Sequence, residues 1–212
     1  MFKEISTMKR SFMVLALAGG SLSLPASAEM DTAYYNDHYC TTCHGADGIG
    51  SEGVQAPRLA GMEPWYLKRQ LEHFRAGMRG MHREDFQGTE MQPMAAKLSD
   101  ESIAELVAWV GSWEYVPTPV TLEGDAEAGR ALYASCSSCH GANGEGSPTL
   151  GAPALAGQND WYLVTQLQNF KAGYRGSAPG DTYGAQMIPM AASLADDTAI
   201  RNVVSYINTL GR

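Results

Sequence analysis

The motif C-x-x-C-H occurs twice, as Cys40, Cys43 and His44 and again as Cys136, Cys139 and His140, and the two copies use all four cysteines of the 212-residue chain. A disulfide within each C-x-x-C would account for the thiols, but not for the histidine that follows at once in both copies. The pattern is the attachment signal of c-type haem. Two thiols add across the porphyrin vinyl groups as thioethers, and the adjacent histidine is set on the same face to ligate iron. The expected cofactors are two covalently bound c-type haems.

These two sites occupy matching points of a repeat. From Cys40 to Asp100 each residue aligns with the one 96 positions later, without a gap, and 32 of the 61 positions are identical. Pro57, Leu59 and Gly61 return as Pro153, Leu155 and Gly157, and Trp65-Tyr66-Leu67 as Trp161-Tyr162-Leu163. "FRAGMRG" at 74–80 returns as "FKAGYRG" at 170–176, and "MQPMAAKLSD" at 91–100 as "MIPMAASLAD" at 187–196. Solenoid units are shorter and need at least three copies. Two copies of this size, each with its own cofactor, are two domains, at 29–116 and 125–212. The linker at 117–124 contains Pro117 and Pro119, which forbid a continuous helix. It is short, so the domains are expected to rest against each other.

Each module reads as helical. Pro64 and Asp160 suit the first turn of a helix. Leu67, Leu71 and Phe74 follow at i, i+4 and i+7, and Gly77 offers a stop. A last helix begins at "SDES" (99–102) and carries Ile103, Leu106, Val107 and Val110 on one stripe, matched by Ile200, Val203, Val204 and Ile207. No stretch alternates as a strand does. The fold class is all-α: two small helical bundles, each thin in the centre without a buried macrocycle.

Iron needs a second axial ligand. Of the methionines, only Met91, Met94, Met187 and Met190 recur in both modules, as M-x-P-M. A soft thioether favours reduced iron and raises its potential. Met62, Met78 and Met81 read as core fillers. Within each pair the choice stays open on the residues alone: Met91 and Met187 lie in a loop two positions before the proline, and Met94 and Met190 nearer the last helix.

Taken together, the two C-x-x-C-H sites, the Pro-x-Leu-x-Gly segments, the "WYL..QL..F.AG.RG" helices and the M-x-P-M-A-A-x-L stretches resemble the dihaem cytochromes c of the cytochrome c4 type, two fused class I cytochrome c domains. The resemblance implies that the first methionine of each motif is the ligand, so that His44 and Met91, and His140 and Met187, are the metal ligands. It also implies that the Pro57 and Pro153 carbonyls accept a hydrogen bond from the ring N–H of His44 and His140. Such domains pack a glycine and an aromatic of their first helix on the last helix. Gly129 and Tyr133 fit that pattern, but the first module offers Ala33 and Asp37 there, with Tyr34 and Tyr35 nearby.

Other conspicuous residues have two readings. Trp65, Tyr66, Trp161 and Tyr162 suit either helix core or hydrogen bonds to haem propionates. Arg79 and Arg175, each in a Gly-x-Arg-Gly turn, read as solvated turn residues before propionate partners. His38, His73 and His82 read as surface residues. The glycines of "CHGADGIG" and "CHGANGEG" read as places where backbone lies close to the porphyrin.

Residues 1–28 have the form of a cleaved signal peptide. Lys3, Lys9 and Arg10 are followed by an apolar run to Leu24 and by Ala26-Ser27-Ala28. The expected location is a bacterial periplasm, with at most peripheral contact with the membrane. Without 1–28 the chain has 12 Lys and Arg against 22 Asp and Glu. That excess disfavours nucleic acid, whose phosphates need clustered cations. The first module carries 14 acidic and 7 basic residues, the linker and second module together 8 and 5, for −7 and −3. This lopsided field is expected to orient docking with redox partners.

If histidine and methionine saturate both irons, no position remains for substrate, and outer-sphere electron transfer is what is left. The expected function is that of an electron carrier between redox partners such as a terminal oxidase or a dehydrogenase. The alternative is the cytochrome subunit of a dehydrogenase of the flavocytochrome sulfide or alcohol type. A dihaem peroxidase would need one iron able to lose its distal ligand.

Overall fold

A computed structural model describes residues 39–211. The leader at 1–28, the first-module positions Ala33, Tyr34, Tyr35 and Asp37, and His38 lie outside the described residues. Nine α-helices are described: α1 (Thr41–His44), α2 (Pro64–Arg75), α3 (Phe86–Ala95), α4 (Asp100–Gly111), α5 (Ala126–Tyr133), α6 (Ser137–His140), α7 (Asp160–Lys171), α8 (Thr182–Ala192) and α9 (Asp197–Ile207). Among the described residues there is no strand, only isolated bridges joining Ser51 to Ala56 and Ser147 to Ala152. None of the described helices is long and apolar enough to cross a membrane.

The helix ends follow local chemistry. Pro64 opens α2, where its missing N–H has no helical partner to lose. Ser99 caps α4 by accepting from the Ser102 N–H at 3.1 Å, with Asp100 and Glu101 in the first turn facing the positive end of the dipole. Asp196 caps α9 through the Ala199 N–H at 2.9 Å, and Asp125 caps α5 through the Glu127 and Ala128 N–H groups, both at 3.0 Å.

One expectation is corrected. The M-x-P-M stretches are not loops: they lie in α3 and α8, with Pro93 and Pro189 inside the helices. Proline argues against a helix interior because it cannot donate and crowds the preceding turn. Each of these helices begins at a capped N-terminus. Asp85 accepts from the Gly88 N–H at 3.2 Å and Asp181 from the Gly184 N–H at 2.8 Å. Between 81 and 90 only Asp85 and Gly88 recur in the second module, and the geometry says why: a Cβ on Gly88 or Gly184 would overlap the capping carboxylate.

Each module has its own apolar core. Leu67, Leu71, Phe74, Leu98, Ile103, Leu106 and Val110 form the first, and Tyr133, Leu163, Leu194, Ile200, Val203, Val204 and Ile207 the second. In the second module α9 packs on α5 and α7. Gly129 permits that approach, since a Cβ there would overlap the Asn202 carbonyl oxygen of α9. Tyr133, 2% exposed, lies with its ring centroid 5.3 Å from that of Tyr206. The expected glycine and aromatic therefore do pack on the last helix.

The modules touch through a reciprocal network. The linker is pinned to the second by Asp160, whose carboxylate accepts from the Thr121 N–H at 2.7 Å, the Leu122 N–H at 2.8 Å and the Thr121 hydroxyl at 2.8 Å. Burial alone would raise the Asp160 pKa, but these bonds outweigh it and hold the carboxyl below its ordinary value. At the opposite end of the linker, Arg58 is buried, donates to the Gly157 and Val116 carbonyls, and stacks over the Tyr115 ring.

Candidate functional site

The two histidines of the C-x-x-C-H motifs are buried, at 5% and 6% exposed. Nδ1 of His44 lies 2.7 Å from the Pro57 carbonyl oxygen, and Nδ1 of His140 2.8 Å from that of Pro153. A carbonyl can only accept, so Nδ1 carries the proton in both rings, and Nε2 is the atom with a lone pair to give. Burial pushes both imidazoles below their ordinary pKa. The proline carbonyls oppose this, and Glu63 opposes it as well at His140. Both rings are therefore neutral at neutral pH, the state a metal ligand requires.

All four cysteines are unbridged. Cys40 and Cys136 are half-buried, and Cys43 and Cys139 are exposed. Burial pushes the Cys40 thiol up to about 11 and raises Cys136 too. Neither is the low-pKa thiolate that a nucleophile or redox sensor needs.

A mainly apolar cavity beside the second C-x-x-C-H site is lined by Cys136, Cys139, His140, Leu163, Met187 and Met190, and on one side by residues of the first module. Met187 is half-buried, while Met190 is 37% exposed. In the first module Met91 packs on the core together with Cys40 and Leu59. Met94 is also half-buried.

At the module boundary the structure corrects the reading of the two turn arginines. Arg79 and Arg175 are buried, each 9% exposed. Arg79 donates to Gln70 Oε1 of its own module at 2.8 Å, and across the boundary to Tyr162 Oη at 3.0 Å and Gln166 Oε1 at 3.1 Å. Arg175 mirrors it, donating to Gln166 Oε1 at 2.7 Å, Tyr66 Oη at 2.9 Å and Gln70 Oε1 at 2.9 Å. These turns are not solvated because each is covered by the other module. His73 is corrected likewise: its Nδ1 lies 3.8 Å from Asp181 Oδ1, with 15% of the side chain exposed. At the equivalent point of the other half, Asn169 donates to Asp85 Oδ1 at 3.0 Å. His82 is exposed as expected and stacks on Tyr174. Met81 is 67% exposed and fills no core.

Three buried donors near this boundary, Trp65 Nε1, Arg69 Nε and Arg79 Nε, have no acceptor among the described residues. Arg69 lines the cavity beside the second C-x-x-C-H site along with Tyr66 and Gln70. An apolar macrocycle bearing carboxylates suits this combination of greasy wall, thiols, neutral imidazole and the orphaned Arg69 Nε. Sequence reasoning named every member of the C-x-x-C-H sites. It missed Gln70, Gln166, Asp85 and Asp181, whose only signal was their identity between the two halves.

Comparison with known proteins agrees with this geometry. The cytochrome c family profile matches residues 32–114 and again 126–211. The chain is 35% identical to the thiosulfate dehydrogenase electron acceptor of Stutzerimonas stutzeri (strain A1501), over 82% of this chain and 79% of that protein. It is 31% identical to the cytochrome c4 of Azotobacter vinelandii, over 96% of this chain and all of that one. Among solved structures, the as-isolated thiosulfate dehydrogenase of Marichromatium purpuratum superposes with a TM-score of 0.65 at 35% identity, over 80% of this chain but only 36% of that longer one. Two tandem helical domains, each with a C-x-x-C-H site, and relatives of this closeness place two covalently bound c-type haems on the chain. It belongs to the cytochrome c family, as a dihaem electron-transfer protein of the cytochrome c4 type.

Proposed function

We propose that this chain accepts electrons from a periplasmic dehydrogenase and passes them on, with His44 and Met91 ligating one iron and His140 and Met187 the other. The haems supply one-electron oxidation and reduction at iron. The protein attaches them through Cys40 and Cys43 and through Cys136 and Cys139, orients the imidazoles through Pro57 and Pro153, and excludes water with the two apolar cores. The observation that carries the reading is the pair of Nδ1 bonds to proline carbonyls, which leaves Nε2 of each buried, neutral histidine for the metal.

A dehydrogenase donor is supported by the relative named as a thiosulfate dehydrogenase electron acceptor, and a thiosulfate-oxidising partner is the first to test. A terminal oxidase as the onward acceptor is the companion reading, supported by likeness to the cbb3-type cytochrome c oxidase subunit FixP of Sinorhizobium medicae, 25% identical over 81% of this chain. Export to the periplasm rests on the leader-like residues 1–28, and the domain limits 29–116 and 125–212 on the repeat and the two separate cores.

The test is rapid-mixing absorbance. The holoprotein is mixed with a thiosulfate dehydrogenase and its substrate, and both haems are expected to reduce with rates that change with ionic strength. No reduction by that enzyme, alongside rapid reduction by a different dehydrogenase, would move the donor. Carbon monoxide binding readily to the untreated reduced protein would overturn the saturated ligand set.

A further inference from the structure

The proline carbonyls that accept from the two histidines each belong to a peptide group whose other end faces the opposite module. Pro153 C=O and Ala154 N–H are the two ends of one amide. The carbonyl accepts from His140 Nδ1 at 2.8 Å, and the N–H donates to Glu63 Oε1, in the first module, at 2.9 Å. Pro57 C=O and Arg58 N–H repeat the arrangement. The carbonyl accepts from His44 Nδ1 at 2.7 Å, and the N–H donates to Asn159 Oδ1, in the second module, at 2.7 Å.

Glu63 and Asn159 are equivalent residues, 96 positions apart, and each immediately precedes an interface helix. A residue there ordinarily turns its side chain onto its own first turn. Neither does so. Both reach across the boundary, so the two halves hold each other's histidine-bearing amide. At the acceptor the halves differ: a carboxylate does this for His140, and a neutral carboxamide for His44.

We infer that Glu63 is a positioning residue for the second haem, lowering its reduction potential through the Pro153–Ala154 peptide, while Asn159 holds the first haem's peptide without that effect. This rests on the reading that His44 and His140 are axial ligands. The amide is conjugated, so an anion at its N–H pushes electron density onto its carbonyl oxygen. Hydrogen bonds with one charged partner are roughly twice as strong as neutral ones. A stronger acceptor at Nδ1 gives the ring more imidazolate character, and Nε2 becomes a better donor. A better donor stabilises ferric over ferrous iron, so the one electron leaves more easily. No proton moves in the step.

The test uses the holoprotein and reads each haem's midpoint by spectroelectrochemistry, with the His140 Nδ1–H resonance of the reduced form followed by NMR. Glu63→Gln keeps an acceptor oxygen and removes the charge. The expected result is an upward shift of one midpoint, an unchanged second midpoint, and an upfield shift of the His140 Nδ1–H with the His44 resonance unmoved. Glu63→Ala is expected to shift the same midpoint at least as far. Equal movement of both midpoints, no movement, or a midpoint shift without any change at the His140 proton would overturn the relay. Low-spin absorbance from the same samples reports ligation separately. If His140→Gly left the second haem's spectrum intact, the ligand reading would fall instead.

Discussion

Arg175 of the second module and Gln70 of the first meet at 2.9 Å, Nη2 to Oε1, and the same oxygen accepts from Arg79 Nη1 at 2.8 Å. One carboxamide oxygen thus serves two guanidinium groups, one from each half. Gln166 does the same in mirror image. The contact is buried, so its members have no water to fall back on.

Replacing Arg175 by methionine keeps the bulk and removes its donors from Gln70, Gln166 and Tyr66. Gln70 and Gln166 keep Arg79 as a donor, but Tyr66 Oη loses its bond from Arg175, and the loss is expected to cost about 1–3 kcal/mol, read as a lower midpoint in denaturant unfolding of the holoprotein. Arg79→Met should cost a similar amount. The double variant should lose more than the sum, because only then do both glutamine oxygens lose their last arginine donor. Full additivity would mean that the halves are not coupled through this network.

His73 makes the interface sensitive to acid. Burial pushes its pKa below the ordinary value, Asp181 opposes, and Arg69, Arg175 and Arg79 add to the depression. The unfolded chain then binds a proton that the folded one refuses, so this contribution is complete above the ordinary histidine value of 6.5 and is lost as pH falls below it toward the folded pKa. His73→Asn, which copies Asn169 of the other half, is expected to flatten the loss of stability between about pH 7.5 and about pH 5.5, where histidine titrates. Unfolding curves at the two pH values check this, and an unchanged slope would remove His73 from the account.

The assignment of the second axial ligand is open to direct test. Met91→Ala or Met187→Ala is expected to remove about half of the near-infrared sulfur-to-ferric intensity, one haem of the two, and to lower one midpoint potential. Met94→Ala and Met190→Ala should leave the band in place. The opposite outcome would exchange the roles within each M-x-P-M pair.

Gly129 offers a check on packing away from the haems. A Cβ at this position would meet the Asn202 carbonyl, so Gly129→Ala should push α5 off α9 and destabilise the second module by about 1–3 kcal/mol. Thermal unfolding followed by far-ultraviolet circular dichroism measures the loss.

Sites defined by contiguous residues were legible from the chain alone. C-x-x-C-H carries its chemistry in five adjacent positions, and the 3.6-residue stripe of Ile103, Leu106 and Val110 announced the last helix. What escaped were features set by distant partners. Proline in M-x-P-M read as a loop because a local window favours ending a helix at a proline, while α3 and α8 run through Pro93 and Pro189. Arg79, Arg175 and His73 read as surface because nothing near them in sequence says that another domain covers them. The repeat held a clue: identity at Gln70, Arg79 and Asp85 exceeds what a solvated face requires.

In symmetry terms, the reciprocal network makes this chain a fused homodimer: one isologous patch, encoded twice, complementary to itself. A change at either member of a pair therefore unbalances the dyad and not one lobe alone. Where the lobes have already parted, at Glu63 against Asn159 and at His73 against Asn169, the same architecture presents two chemically unequal environments, and the pseudo-twofold becomes a means of telling one haem from its twin.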